Sequence, residues 1–270
     1  MIHGIVGTLA GWHLRIVPML WNDFQVLTYD LRGHGYSDIT ETGYTPTQLA
    51  TDLKELLDRL DIEQTDLVGH SMGADIALYF AYMYPERVRK AVLIEPIVPA
   101  VMPMMTKEDF EGKEWVAEVL DTLGIPIPED RRLDSDFMLK ESSRLQNRWG
   151  PLKGMPWRKA HSDRIEQVLT KTSILKDAVE IGELTIENIP KINVPIHLIY
   201  DSGSFMWSKS QKFLLDNLPD VTSSVIKSGT RTLSHFALHE QPELIGQLIL
   251  DALRGPGPGD NRPLIEQRQH

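Results

Sequence analysis

The stretch that most constrains this chain runs from residue 65 to residue 84. Thr65-Asp66-Leu67-Val68 reads as a short strand. Gly69-His70-Ser71-Met72-Gly73 follows, and residues 74–84 are then apolar nearly all round, the pattern of a helix buried against a sheet. Pro85 ends that helix. A strand that turns at once into a buried helix brings two backbones together. Gly69 and Gly73 have no side chains to clash at that crossing. The serine between them is held in a tight turn, with its hydroxyl beyond the end of the sheet. The first N–H groups of the helix face any negative charge that develops there. Gly-x-Ser-x-Gly arises by chance in about one chain in ten of this length. The weight therefore lies in the flanking strand and helix. The plain alternative is a glycine-rich strand–helix turn with an idle serine.

The same rhythm continues on both sides. Residues 24–29 read as a short buried strand ending at Asp30, and residues 31–37 are rich in turns. Thr45 suits a helix cap, Pro46 the first helical position, and Gln48 the far end of a capping box. Leu49, Leu53, Leu56, Leu57 and Leu60 then recur at helical spacing. Further strands are expected at residues 91–94, ending at Glu95; at 194–200, ending at Asp201; and at 223–226. A last helix is expected over 242–253. This alternation predicts an α/β fold, a mainly parallel sheet flanked by helices. Residues 97–190 break the rhythm with several prolines and methionines, Trp115, Trp149 and Trp157, and no evident strand. They read as a helical cap inserted over the strand ends, against the plainer alternative of connecting helices. The expected division is a core of residues 1–96 and 191–254, a cap of 97–190, and a disordered tail of 255–270.

Composition narrows the function. With 270 residues, 41% hydrophobic and 24% charged, the chain can bury one large core. A net charge of −10 disfavours nucleic acid and anionic membranes. The absence of cysteine excludes disulfides, thiolate catalysis and cysteine-ligated zinc. No apolar run approaches the roughly 18 residues that span a membrane, and no signal peptide is evident at the N-terminus. A cytoplasmic location is the default expectation. No cofactor and no metal is expected.

Several motifs in order resemble the α/β-hydrolase superfamily from residue 3 to about residue 253. His3-Gly4 is similar to the family's His-Gly turn. The segment from Asp30 through Arg32-Gly33-His34-Gly35 to Ser37 resembles its Asp-x-Arg-Gly-x-Gly-x-Ser loop. Tyr84-Pro85-Glu86-Arg87-Val88 resembles the link out of the elbow helix. Ser234-His235-Phe236, followed by Glu240-Gln241-Pro242-Glu243, resembles the histidine loop. The resemblance implies a serine hydrolase with Ser71 as nucleophile and His235 as general base, in the family's chain order. Among the other histidines, His3 suits a structural place in its turn. His34 lies in a loop and His70 inside the elbow. His161 falls in the presumed cap, His197 in a strand, His239 at a rim and His270 in the tail.

The acid that orients the base is less plain. The family's usual position after the seventh strand holds Ser204. Glu95 resembles the acid that some members, including certain haloalkane dehalogenases, carry after the preceding strand. Asp201 is the alternative, and for both the plain reading is a cap or salt bridge at a strand end. The resemblance also implies an oxyanion hole from the backbone N–H groups of Ile5 and Met72. Family members carry further strands before His-Gly, so an inner strand is expected to be missing here.

The expected reaction is cleavage of a carboxylic ester, thioester or related acyl bond. A small apolar or aromatic acyl substrate would lie against cap methionines and tryptophans. A serine at the elbow argues against dehalogenase and epoxide hydrolase chemistry. Carbon–carbon bond hydrolases, haloperoxidases and acyltransferases share the triad. A non-catalytic binding protein that kept the fold is the rival of another class.

Overall fold

A computed structural model describes residues 1–5, 7–104, 127–131, 157–204, 207–227, 238 and 241–255. His235, His239, His270, Trp115, Trp149 and the tail beyond residue 255 lie outside these residues.

Four strands form one parallel sheet in chain order: β1 (Thr65–His70), β2 (Val88–Ile94), β3 (Ile196–Asp201) and β4 (Val221–Ile226). The registers align Leu67 with Ala91, Ala91 with Ile196, and Ile196 with Val221. All four strands therefore end at one edge of the sheet. Successive residues of each strand point to opposite faces, and both faces are covered. Leu67, Leu93 and Leu198 join one buried cluster with helices α3 (Pro46–Arg59) and α4 (Met72–Met83). Val68, Val92, Ile94 and Ile199 join another with α1 (Leu9–Arg15), α2 (Val17–Leu20) and the helix Pro242–Arg254. This two-sided burial explains why the strands read as apolar runs rather than as alternating patterns.

The helix ends follow the sequence. Thr45 Oγ1 accepts from the Gln48 N–H at 3.1 Å, with Pro46 in the first turn. The capping box is only half made, because the Gln48 amide turns to Asp52 at 3.2 Å. Leu49, Leu53 and Leu57 are buried, whereas Leu60, expected on the same face, is 47% exposed beyond the helix end. Helix α4 is buried from Met72 to Ala81, as its composition requires.

Residues 24–29 correct an expectation, because they belong to no strand. A strand needs a ladder of paired N–H and C=O groups, not only an apolar sequence. Here Ile2 stands against β1 through a single parallel bridge to Gly69. Its N–H donates to Val68 O at 2.8 Å, and its carbonyl accepts from His70 N at 3.1 Å. The Met1 ammonium reaches the Leu27 carbonyl at 2.7 Å. That single contact builds no ladder on residues 24–29.

Between residues 97 and 190 the described elements are 3-10 turns at Met102–Met104, Glu129–Arg131 and Ile189–Lys191 and the helices Trp157–Lys171 and Ile174–Asp177. No strand occurs there among the described residues. No helix among the described residues is long and apolar enough to cross a membrane.

His197, expected in a strand, lies in β3 and is buried. Its Nδ1 and Nε2 lie 2.8 and 3.0 Å from Thr222 Oγ1 and Ser224 Oγ. Burial, with the Lys90 charge second, pushes its pKa from 6.5 down to about 4. Between those values the unfolded chain binds a proton that the folded chain refuses. The stabilisation is therefore present above pH 6.5 and is lost as pH falls towards 4, by up to about 3 kcal/mol at ~1.36 per pKa unit. Urea unfolding of wild type and His197→Gln at pH 7.5 and pH 5 checks this. Wild type should lose more stability than the variant at pH 5. An equal loss in both would show that His197 is not the responsible group.

Candidate active site

The segment Gly69–Gly73 forms the turn that its spacing demands. Ser71 follows β1 and caps α4 with φ 55° and ψ −126°, a left-handed conformation that is costly for a residue with a side chain. Its N–H donates to Ile94 O at 2.9 Å, and its carbonyl accepts from Ala74 N at 2.8 Å and Asp75 N at 3.2 Å. These bonds hold the strained backbone in place. The two glycines are required by contact. A Cβ on Gly69 would stand 2.2 Å from Gly73 O, and one on Gly73 would stand 2.3 Å from Ile2 O. Ser71 is buried, with Met72 opening the helix beside it.

Residues 3–5 pass directly over this turn. A Cβ on Gly4 would meet Ser71 Cβ at 3.1 Å, so the His-Gly backbone lies against the serine. His3 fixes this segment. Its Nε2 accepts from Leu31 N at 3.0 Å, which puts the proton on Nδ1, 2.8 Å from Gly4 O. His34 packs edge-on against His3 with ring centroids 5.0 Å apart. It sets Nδ1 against Arg32 O and Nε2 against Ile5 O. Burial pushes the His34 pKa down. The loop that carries His34 is itself braced. Asp30 accepts from Leu9 N at 2.8 Å and Tyr36 N at 3.1 Å, and Arg32 forks onto Asp52 at 2.8 and 2.7 Å. The hold on Ile5 by His34 was not legible in the sequence, because neither residue's partner is near in the chain.

The two candidate acids sit at neighbouring strand ends and are both buried. Glu95 follows β2 with φ 52°. Its Oε1 accepts from Asp201 N at 2.5 Å, and its Oε2 accepts from the Ser204 hydroxyl. Asp201 ends β3, and its Oδ1 accepts from Gly203 N at 2.8 Å, closing a turn within its own loop. The structure thus joins Glu95 to Ser204, the residue at the family's usual acid position.

Asp75, in the first turn of α4, is a further buried carboxyl that periodicity alone passed over. Its Oδ1 accepts from Ile97 N at 3.1 Å and Val98 N at 2.8 Å. Burial pushes its pKa up to about 7. The available signal was one acidic residue in an otherwise apolar helix. His70 closes β1 as a buried residue, and His161 falls within Trp157–Lys171. Among the described residues, no group of three or more His, Asp or Glu side chains could hold a metal.

A family model described as "alpha/beta hydrolase fold" matches residues 1–206. The chain is 35% identical over 142 residues to a "Putative non-heme chloroperoxidase" of Synechocystis, covering 52% of this chain and 50% of that protein. It is 25% identical over 264 residues to an Escherichia coli "2-hydroxy-6-oxononadienedioate/2-hydroxy-6-oxononatrienedioate hydrolase", covering 95% and 86%. The chain spans half or less of the first curated relatives it matches. Among solved structures, MGS-M2, an alpha/beta hydrolase enzyme from a Medee basin deep-sea metagenome library, superposes with a TM-score of 0.64. That match has 25% identity and covers 95% of this chain and 89% of the other.

The Ser204 hydroxyl donates to a carboxyl oxygen inside the protein. Ser204→Ala should therefore lower the unfolding free energy by about 1–3 kcal/mol, the cost of a buried acceptor deprived of its donor. Denaturant titration of the variant measures it. An unchanged midpoint would mean that Glu95 does not depend on this bond.

Proposed function

Because the chain belongs to the alpha/beta hydrolase fold family, we propose that it is a serine hydrolase cleaving a carboxylic ester, thioester or related acyl bond of a small molecule. The observation that carries this reading is Ser71 itself. It is held at φ 55° between β1 and α4 by backbone contacts that tolerate only glycine at positions 69 and 73. A strained serine at a helix N-terminus is a suitable nucleophile once a base takes its proton.

In the proposed cycle, Ser71 Oγ attacks the acyl carbon and its proton passes to His235. The N–H groups of Ile5 and Met72 hold the oxyanion. The carbonyl re-forms, the bond to the leaving group breaks, and His235 returns the proton to that group. Water then attacks the acyl-enzyme with His235 again as base, which frees the acid and restores Ser71. Glu95 orients His235. Glu95 is favoured over Asp201 because its carboxyl reaches Ser204, the residue at the family's usual acid position. The Ile5 assignment is supported by Gly4 lying against Ser71 and by His34 holding the Ile5 carbonyl. Residues 97–190 would serve as the cap over these groups, with an apolar or aromatic acyl group beneath it.

A second reading is hydrolysis of a carbon–carbon bond in a keto acid by the same residues. It is favoured by the likeness to the dienedioate hydrolase over 95% of this chain.

A fluorophosphonate probe should label wild type and not Ser71→Ala, and loss of that contrast would remove the hydrolase reading. On p-nitrophenyl acetate, Glu95→Gln should lower kcat by about 10³–10⁴-fold, the scale on which a triad acid acts. Asp201→Asn should lower it far less. The reverse order would transfer the acid to Asp201. Turnover of a 2-hydroxy-6-oxo dienedioate well above that of the ester would favour the second reading.

A further inference from the structure

We propose that Asp75 is a positioning residue for the acid: it fixes the turn 95–98 that aims Glu95, and it ties that turn to the helix carrying Ser71. This rests on the assignment of Glu95 above. β2 delivers Glu95 into a turn in which two residues other than glycine are left-handed, Glu95 at φ 52° and Val98 at φ 56°. Each such residue is strained, and most of all one with a β-branched side chain such as valine. A turn of this kind persists only when its surroundings fix it.

Here the surroundings are specific. Asp75 Oδ1 accepts from both Ile97 N and Val98 N. The Tyr200 hydroxyl donates to Pro96 O at 3.1 Å, and Ser210 Oγ donates to Ile97 O at 3.0 Å. Asp75 N donates in turn to Ser71 O at 3.2 Å. One residue thus connects the two turns, its backbone N–H bonded to Ser71 and its carboxyl to the turn after β2.

Burying a carboxyl in a helix enclosed on all sides is unfavourable. An apolar residue at position 75 would satisfy the helix and leave two loop N–H groups without an acceptor. The carboxyl therefore suits the loop rather than the helix. Nothing in the packing of α4 against the sheet requires it. What depends on it is the direction in which Glu95 leaves β2.

The test is a kinetic cycle on the full chain with p-nitrophenyl acetate, using wild type, Asp75→Ala, Asp75→Asn, Glu95→Gln and the double variant Asp75→Ala/Glu95→Gln. Melting curves accompany each protein. Asp75→Ala should lower kcat by about 10–100-fold, the scale of a misplaced catalytic group, with KM little changed. Asp75→Asn keeps an oxygen facing the two N–H groups and should restore kcat. In the double variant, Asp75→Ala should add no further loss to Glu95→Gln, because its effect passes through that side chain. Wild-type kcat in Asp75→Ala, failure of Asp75→Asn to restore it, or losses that multiply in the double variant would each overturn the proposal while leaving the hydrolase reading intact. Absence of Ser71-dependent turnover in wild type would overturn both. If Asp75→Ala does not fold, Asp75→Leu replaces it. That variant fills the space of the carboxyl within the helix and removes the acceptor for Ile97 N and Val98 N, and the same coupled loss supports the proposal while wild-type kcat overturns it.

Discussion

Everything at the site depends on a backbone-to-backbone contact. Gly69, Gly73 and the Ile2-His3 segment meet at distances that exclude any Cβ on either glycine. That contact lets β1 turn into α4 without a connecting loop. It places Ser71 at the tip of the turn and presses residues 3–5 onto the serine. Move the helix out by the width of a methyl group and three things change together: the strain at Ser71, the first N–H groups of α4, and the place of Gly4. The neighbouring features brace this contact. His3 and His34 tie residues 3–5 to the Asp30–Ser37 loop, and Asp75 ties α4 to the turn after β2.

The elbow was legible because its signal is local. Glycines at fixed spacing, a strand before and a helix after are all written within twenty residues, and steric contact turns that spacing into geometry. The parallel sheet was legible for a related reason. β1 to β4 read as apolar runs because both faces are covered, and the structure extended each expected strand by only a few residues or shifted its start. Residues 24–29 look equally apolar yet form no strand, because strand formation is decided by a partner's backbone and not by the segment's own side chains.

The acid shows the same limit. Sequence order could place Glu95, Asp201 and Ser204 at strand ends, and it marked Ser204 as a departure from the usual acid. It could not say that Ser204 would donate to Glu95, or that Asp201 would fold back on Gly203, since those outcomes depend on how three loops meet. Asp75 was visible as one charge in an apolar helix, and its partners lie more than twenty residues away. His235 falls outside the described residues, so its place in the chain order is what supports it.

The strand pairings also differ in the length of chain each must close. β1 and β2 pair residues only about two dozen positions apart, with α4 between them, whereas β2 and β3 must close a loop of about a hundred residues. By loop-closure entropy the short crossover is the cheaper to form, by roughly 1 kcal/mol, and it brings Ser71, Asp75 and Glu95 together by itself. β3 brings Tyr200, Asp201 and Ser204, which supply the donors to Pro96 O and to the Glu95 carboxyl. On this topology Ser71 and the turn after β2 belong to the unit that closes at lower cost, and the groups around the Glu95 carboxyl come with the longer closure.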